Sequence, residues 1–217
     1  MRDQFELELQ ELEQRFLEMG NAVLESASKA LLALAAKDVA MAELIIKEDK
    51  LINQSQLEIE LACARLLALQ QPQVTDLRFV LTIMSACSDL ERMGDHMAGI
   101  AKAILHLKEV DTLEAIEERI HEAGQKALKM MADLLAAFPR HNADKAITIA
   151  NQDEAIDELY YSISKEILTV MKEQETSIRN GAQYLYMIGH VERFADYISN
   201  ICERLVYLQT GELVELN

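Results

Sequence analysis

The sequence predicts an all-α protein made of two tandem, pseudo-symmetric three-helix bundles, and three observations carry that prediction. Glycine and proline are scarce, seven and two in 217 residues, tryptophan is absent and aromatics make up only 5%, while the strong helix formers Ala, Leu, Glu and Met abound. Apolar residues recur at helical spacing through most of the chain, and no alternating strand-like run stands between turn residues. Finally the chain repeats itself: DLERMGDHMAGIAKAI at 89–104 returns as HVERFADYISNICERL at 190–205, the mark of an internal duplication.

Each element follows from periodicity and punctuation. Residues 1–36 read as one helix, with Phe5, Leu9, Leu12, Phe16, Met19, Val23, Leu31 and Leu34 near a period of 3.5. Asp38 can cap a second helix over about 39–70, which stops at Gln70-Gln71-Pro72 because proline lacks an amide proton and disfavours helix in the residue before it. Thr75 or Asp76 is expected to start a third helix running to about 108. The register breaks over 108–112, where Asp111 and Glu114 have capping-box spacing, so the halves are expected to divide into 1–109 and 110–217. A fourth helix should end before Pro139, a fifth should run unbroken from Asn142 or Asp144 to about 172, and a sixth should span about 179–208 and stop at Gly211. Short loops imply antiparallel neighbours within each group of three.

Composition removes several function classes. A net charge of −16 argues against nucleic acid, whose phosphates need surplus Lys and Arg, and suits solubility, cation binding or a basic protein partner. The N-terminal MRDQFELELQELEQ lacks the apolar core of a signal peptide, and no segment approaches the ~20 apolar residues of a membrane span. Cys63, Cys87 and Cys202 have no metal-knuckle spacing, and their odd number leaves one unpaired. A reducing, cytoplasmic setting without direct membrane insertion is therefore expected.

The repeated segment carries an acidic pair four residues apart, Glu91 and Asp95, recurring as Glu192 and Asp196. Like charges at this spacing share a helix face and destabilise it mildly, so something should compensate them. Both pairs follow by one residue the apolar seams of their helices, Val80, Ile83, Cys87, Leu90, Gly94, Met97, Ala101 and Ile104, and Gly181, Tyr184, Ile188, Val191, Ala195, Ile198, Cys202 and Leu205. One residue is a turn of about 100°, which places the carboxylates at the edge of a groove. A second repeat, Asp49 with Asn53 and Asp153 with Asp157, lies one helix earlier. Residues equidistant from the connection of an antiparallel pair sit at one height. Asp49 and Asp95, like Asn53 and Glu91, are equidistant from residue 72, and Asp153 and Asp196, like Asp157 and Glu192, from the point between 174 and 175. Each half thus gathers three or four oxygen donors, a set suited to hard cations such as magnesium, manganese or iron. One Glu-x3-Asp alone would ordinarily be a solvated face; repetition and matched height argue for a site.

Other residues carry less. His96 and His190 are each absent from the other copy, where Tyr197 and Asp89 stand, so both are expected to be surface histidines. Glu118-x2-His121 has ferritin-like di-iron spacing, but that site needs the motif from two helices and it occurs once. Met130 and Met131 read as core or interface filling. No phosphate-binding glycine loop, nucleophile elbow or zinc-protease His pair is present, and no catalytic residue is expected.

At LEMGNAVLES, LALQQPQVTDLRF, DLERMGDHMAGIAK and YMIGHVERFADYISNICERLVYLQTGE the sequence resembles the PhoU family, regulators of bacterial phosphate signalling, over nearly its whole length. The family's repeated acidic motif maps onto Glu91/Asp95, Glu192/Asp196 and Asp153/Asp157; Asn53 departs from it, and Ala195 replaces the glycine before the last acid. The resemblance implies two three-helix bundles, multinuclear iron or zinc clusters in some members, and homodimers or larger assemblies. It further implies a non-enzymatic repressor of the phosphate-starvation response that contacts the ATPase of the phosphate ABC transporter and a sensor histidine kinase. A different phosphate transporter as client, and a ferritin-like metal-binding or oxidase bundle, are the alternatives.

Overall fold

The computed structural model describes residues 2–70, 72–108 and 112–216. Helix α1 spans Arg2–Ala36, α2 Val39–Gln70, α3 Val74–His106, α4 Glu114–Ala137, α5 Ala143–Ala150, α6 Glu154–Glu173 and α7 Ile178–Thr210, with 3-10 turns at Phe138–Arg140 and Glu175–Ser177. The halves correspond as α1 to α4, α2 to α5 with α6, and α3 to α7. The expected boundary at 109/110 and the Asp111 cap lie outside the described residues.

The punctuation acts largely as read. Lys37 adopts the left-handed conformation (φ 52°) that ends α1, and the Asp38 carboxylate accepts the Met41 amide at 2.9 Å to begin α2. The Asn142 side chain caps α5 through the Lys145 amide at 2.9 Å. Gly211, at φ 81°, closes α7 with its amide on the Tyr207 carbonyl. Helix α3 differs from expectation: it starts at Val74 with no side-chain cap, and Asp76 lies inside the first turn, where a carboxylate complements the helix dipole instead.

The expected fifth helix is interrupted. Over Asn151–Asp153 the bonds tighten to three-residue spacing, Gln152 to Ile149 and Asp153 to Ala150, both 3.0 Å, and α6 begins a fresh ladder from the Asp153 carbonyl. All three residues keep turn geometry between two helices, and the break falls at the start of the second acidic repeat. Helix α2 passes through the equivalent positions without a break.

Both seams are buried at every position. Yet α3 and α7 also bury a second face, including Met93, Ala98, Ile100 and Ala103 on one and Met187, Phe194, Ser199 and Ile201 on the other. The reason is that α3 packs against α7 more extensively than any other helix pair, and α1 packs on α4 and on the turn after it, where the Phe16 and Phe138 ring centroids lie 4.5 Å apart. The two bundles therefore share one continuous apolar core.

Candidate metal centre

The second half brings its acids together. Asp153, Asp157 and Asp196 each offer an oxygen within 4.8 Å of the others. Asp153 is 2% exposed and accepts a hydrogen bond from the buried Ser199 hydroxyl, one turn beyond Asp196 on α7, at 3.2 Å. Glu192 completes the group electrostatically: burial first, then the charges of Asp196, Asp157 and Asp153, raise its pKa. The Asp196 carboxyl is raised by burial and by Asp157, against Arg193, and that of Asp157 by burial. Crowded carboxylates that resist ionisation are what a bound cation would relieve.

The first half is looser. Asp49 is half-buried, with Oδ1 shielded and without a hydrogen-bond partner, and it lies against Gly94, where a Cβ would stand 3.3 Å from that oxygen. Burial and the Asp95 charge raise its pKa. Glu91 is raised by burial, then by Asp95, Asp49 and Glu60, while Arg92 opposes them. Asn53 is exposed on α2 and Asp95 is exposed on α3; among the described residues no three acidic groups here meet as closely as in the second half.

The hairpin register itself is sound. Gln56 donates to Ser88 Oγ at 3.3 Å, and these residues too are equidistant from residue 72. In the second half Tyr160 and Gly189, placed symmetrically about the point between 174 and 175, are neighbours. Sequence reasoning missed Ser199 and Glu60, which accepts from Gln56 at 3.0 Å and from Ser88 at 3.3 Å. Height matching applied to every polar residue of the hairpin would have found the Gln56–Ser88 link.

The histidines overturn their expected surface placement. His190 is 7% exposed, and His96 and His190 meet Nδ1 to Nδ1 at 2.8 Å. Helix α7 lies directly on α3 here, so the His96 ring stacks on Tyr197, its own counterpart in the repeat, with centroids 5.6 Å apart. One ring must donate and the other accept, so the two rings are never both protonated, and burial drives the His190 pKa down to about 4. Glu118 is exposed and shares an open cleft with His121, Glu114, Glu117 and Lys37, which is not the bundle interior a di-iron site requires. Cys63, Cys87 and Cys202 are all free and buried, with thiols pushed up to about 12 by desolvation.

An all-oxygen donor set, an orphaned Asp49 oxygen and a close Asp153–Asp157–Asp196 triad fit hard divalent or trivalent ions. Fold and grooves together define a duplicated helical protein with an acidic groove in each half. The PhoU domain matches twice, over residues 16–104 and 120–205. The chain is 70% identical over its full 217 residues, and over all of the relative, to the "Phosphate-specific transport system accessory protein PhoU homolog" of Streptococcus pneumoniae. The crystal structure of the phosphate transport system regulatory protein PhoU from Streptococcus pneumoniae superposes with a TM-score of 0.92 at 68% identity, covering 97% of this chain and 99% of that one. PhoU from Pseudomonas aeruginosa superposes with a TM-score of 0.92 at 31% identity, covering 96% and 100%. This chain belongs to the PhoU family.

Proposed function

We propose that this protein is a non-enzymatic accessory regulator of phosphate uptake that represses the phosphate-starvation response when phosphate is plentiful. The observation that carries the reading is full-length 70% identity to a protein named as an accessory of the phosphate-specific transport system. The proposed partners are the transporter's ATPase and a sensor histidine kinase, met at the cytoplasmic side by a homodimer. No described helix is long and apolar enough to cross a membrane, which is compatible with acting through such partners.

The two grooves are proposed to hold iron, zinc, manganese or magnesium, with Asp153, Asp157, Glu192 and Asp196 as donors in one and Asp49, Asn53, Glu91 and Asp95 in the other. Such ions would neutralise the clustered carboxylates and stiffen each hairpin. Deletion in the native host is expected to give constitutive phosphate-responsive expression in phosphate-rich medium, reversed by the wild-type gene. Normal repression in the deletion strain overturns the regulatory reading. Unchanged metal content on replacing Asp157, Glu192 and Asp196 by their amides overturns the metal reading for the second groove.

A further inference from the structure

Two aligned positions beside the acids, Gly94/Ala195 and Ala98/Ser199, differ between the two grooves, and they act together. In the first half Gly94 leaves space that Asp49 and Ile52 occupy: a Cβ there would stand 3.1 Å from Ile52 Cδ1 and 3.3 Å from Asp49 Oδ1. One helical turn on, Ala98 is buried and offers no hydrogen bond. In the second half the equivalents are Ala195 and Ser199, both buried. A serine hydroxyl on a helix often turns back to the carbonyl four residues earlier; here it crosses to α6 and donates to Asp153 Oδ2 at 3.2 Å. The Asn151–Asp153 turn sets Asp153 at the head of α6, 2% exposed. Asp49 has a shielded oxygen with no such donor.

We propose that Ser199 is a positioning residue for Asp153, and that the exchange of Gly94 and Ala98 for Ala195 and Ser199 makes the second groove the tighter of two unequal cation sites. The proposal rests on the reading of the grooves as cation sites. A carboxylate held by a neighbour needs less ordering when an ion arrives, and hydrogen bonds that orient a ligand typically govern metal affinity by about 10–100-fold. Ser199 lies three residues beyond Asp196 on the same helix, so one face of α7 supplies both a ligand and the group that aims its partner.

The test is a manganese titration of the metal-stripped full chain, with free Mn²⁺ read by electron paramagnetic resonance. The wild type is expected to show a tight and a weak class, the tight class vanishing in Asp157→Asn. Ser199→Ala should weaken the tight class by about 10-fold and leave the weak class in place; Ser199→Thr, which keeps the hydroxyl, should restore it. Ser199→Cys, a poor donor of similar size, should fall between and serves if the alanine variant does not fold. A tight class unchanged in both the Ala and Cys variants overturns the proposal, as does a Thr variant no better than Ala. Two equal classes in the wild type overturn the claimed inequality alone, whereas no Mn²⁺ binding by folded wild type removes the cation reading itself.

Discussion

His190 is tolerated in the interior because of one glycine. Its Nε2 would lie 2.4 Å from a Cβ at position 99, so the ring rests directly on the α3 backbone. Gly99→Ala gains about 0.5–1 kcal/mol of intrinsic helix preference but must expel the ring and break its bond to His96. Overpacking of this kind costs about 1–3 kcal/mol, so a net loss of about 1–2 kcal/mol is expected in urea denaturation; a variant as stable as the parent would show that the ring can repack freely. Asn53 is the other telling single residue. It is exposed and, as an amide, brings no charge to the first groove, and its letter alone marked the weaker corner.

At the scale of elements, the connection between halves is fastened by α7. Asn180, 1% exposed, accepts from the Lys108 amide at 2.9 Å and donates to the Lys108 carbonyl at 3.0 Å. This one side chain satisfies both backbone groups of a residue just past α3. Asn180→Ala leaves them unpaired, with an expected cost of about 1–3 kcal/mol. Hydrogen exchange should show the Lys108 amide losing protection ahead of the helices; unchanged exchange there would mean that the connection is held by other contacts. The interrupted fifth helix belongs to this scale too, since a break of three residues sets the head of α6 beside Ser199.

For the whole molecule the governing quantity is negative charge, −16 overall, and part of it lies in grooves where burial disfavours ionisation. Burial and mutual repulsion raise the folded-state values of Glu192 and Asp196, so between the ordinary and raised values the folded state binds more protons than the unfolded one. Their contribution to stability is therefore complete below the ordinary carboxylate pKa and is lost as pH rises through the raised values. The Glu192→Gln/Asp196→Asn variant escapes that loss. In chelator at pH 7.5 it should be more stable than the parent, and the gap should close as the solution is acidified. Saturating Mn²⁺ should reverse the order, because only the parent keeps the full ligand set. A gap independent of pH in thermal denaturation would show that repulsion in this groove does not limit stability.

Sequence alone determined the duplication, the register of each hairpin and the helices apart from the break in the fifth, because these depend on short-range rules: a period near 3.6, proline and glycine punctuation, and equal rise per residue on antiparallel helices. That is why Glu91, Asp95, Glu192 and Asp196 could be assigned to groove edges and paired with the acids of the preceding helix. Tertiary structure decided what depends on two distant segments meeting. The packing of α3 on α7 buries a second face of each, converts His96 and His190 from expected surface residues into a hydrogen-bonded pair, and joins two bundles in one core. The Asn151–Asp153 break and the Ser199 hydroxyl make the two copies of one motif physically unequal, a difference that no periodicity records because it arises from contacts across the helix pair.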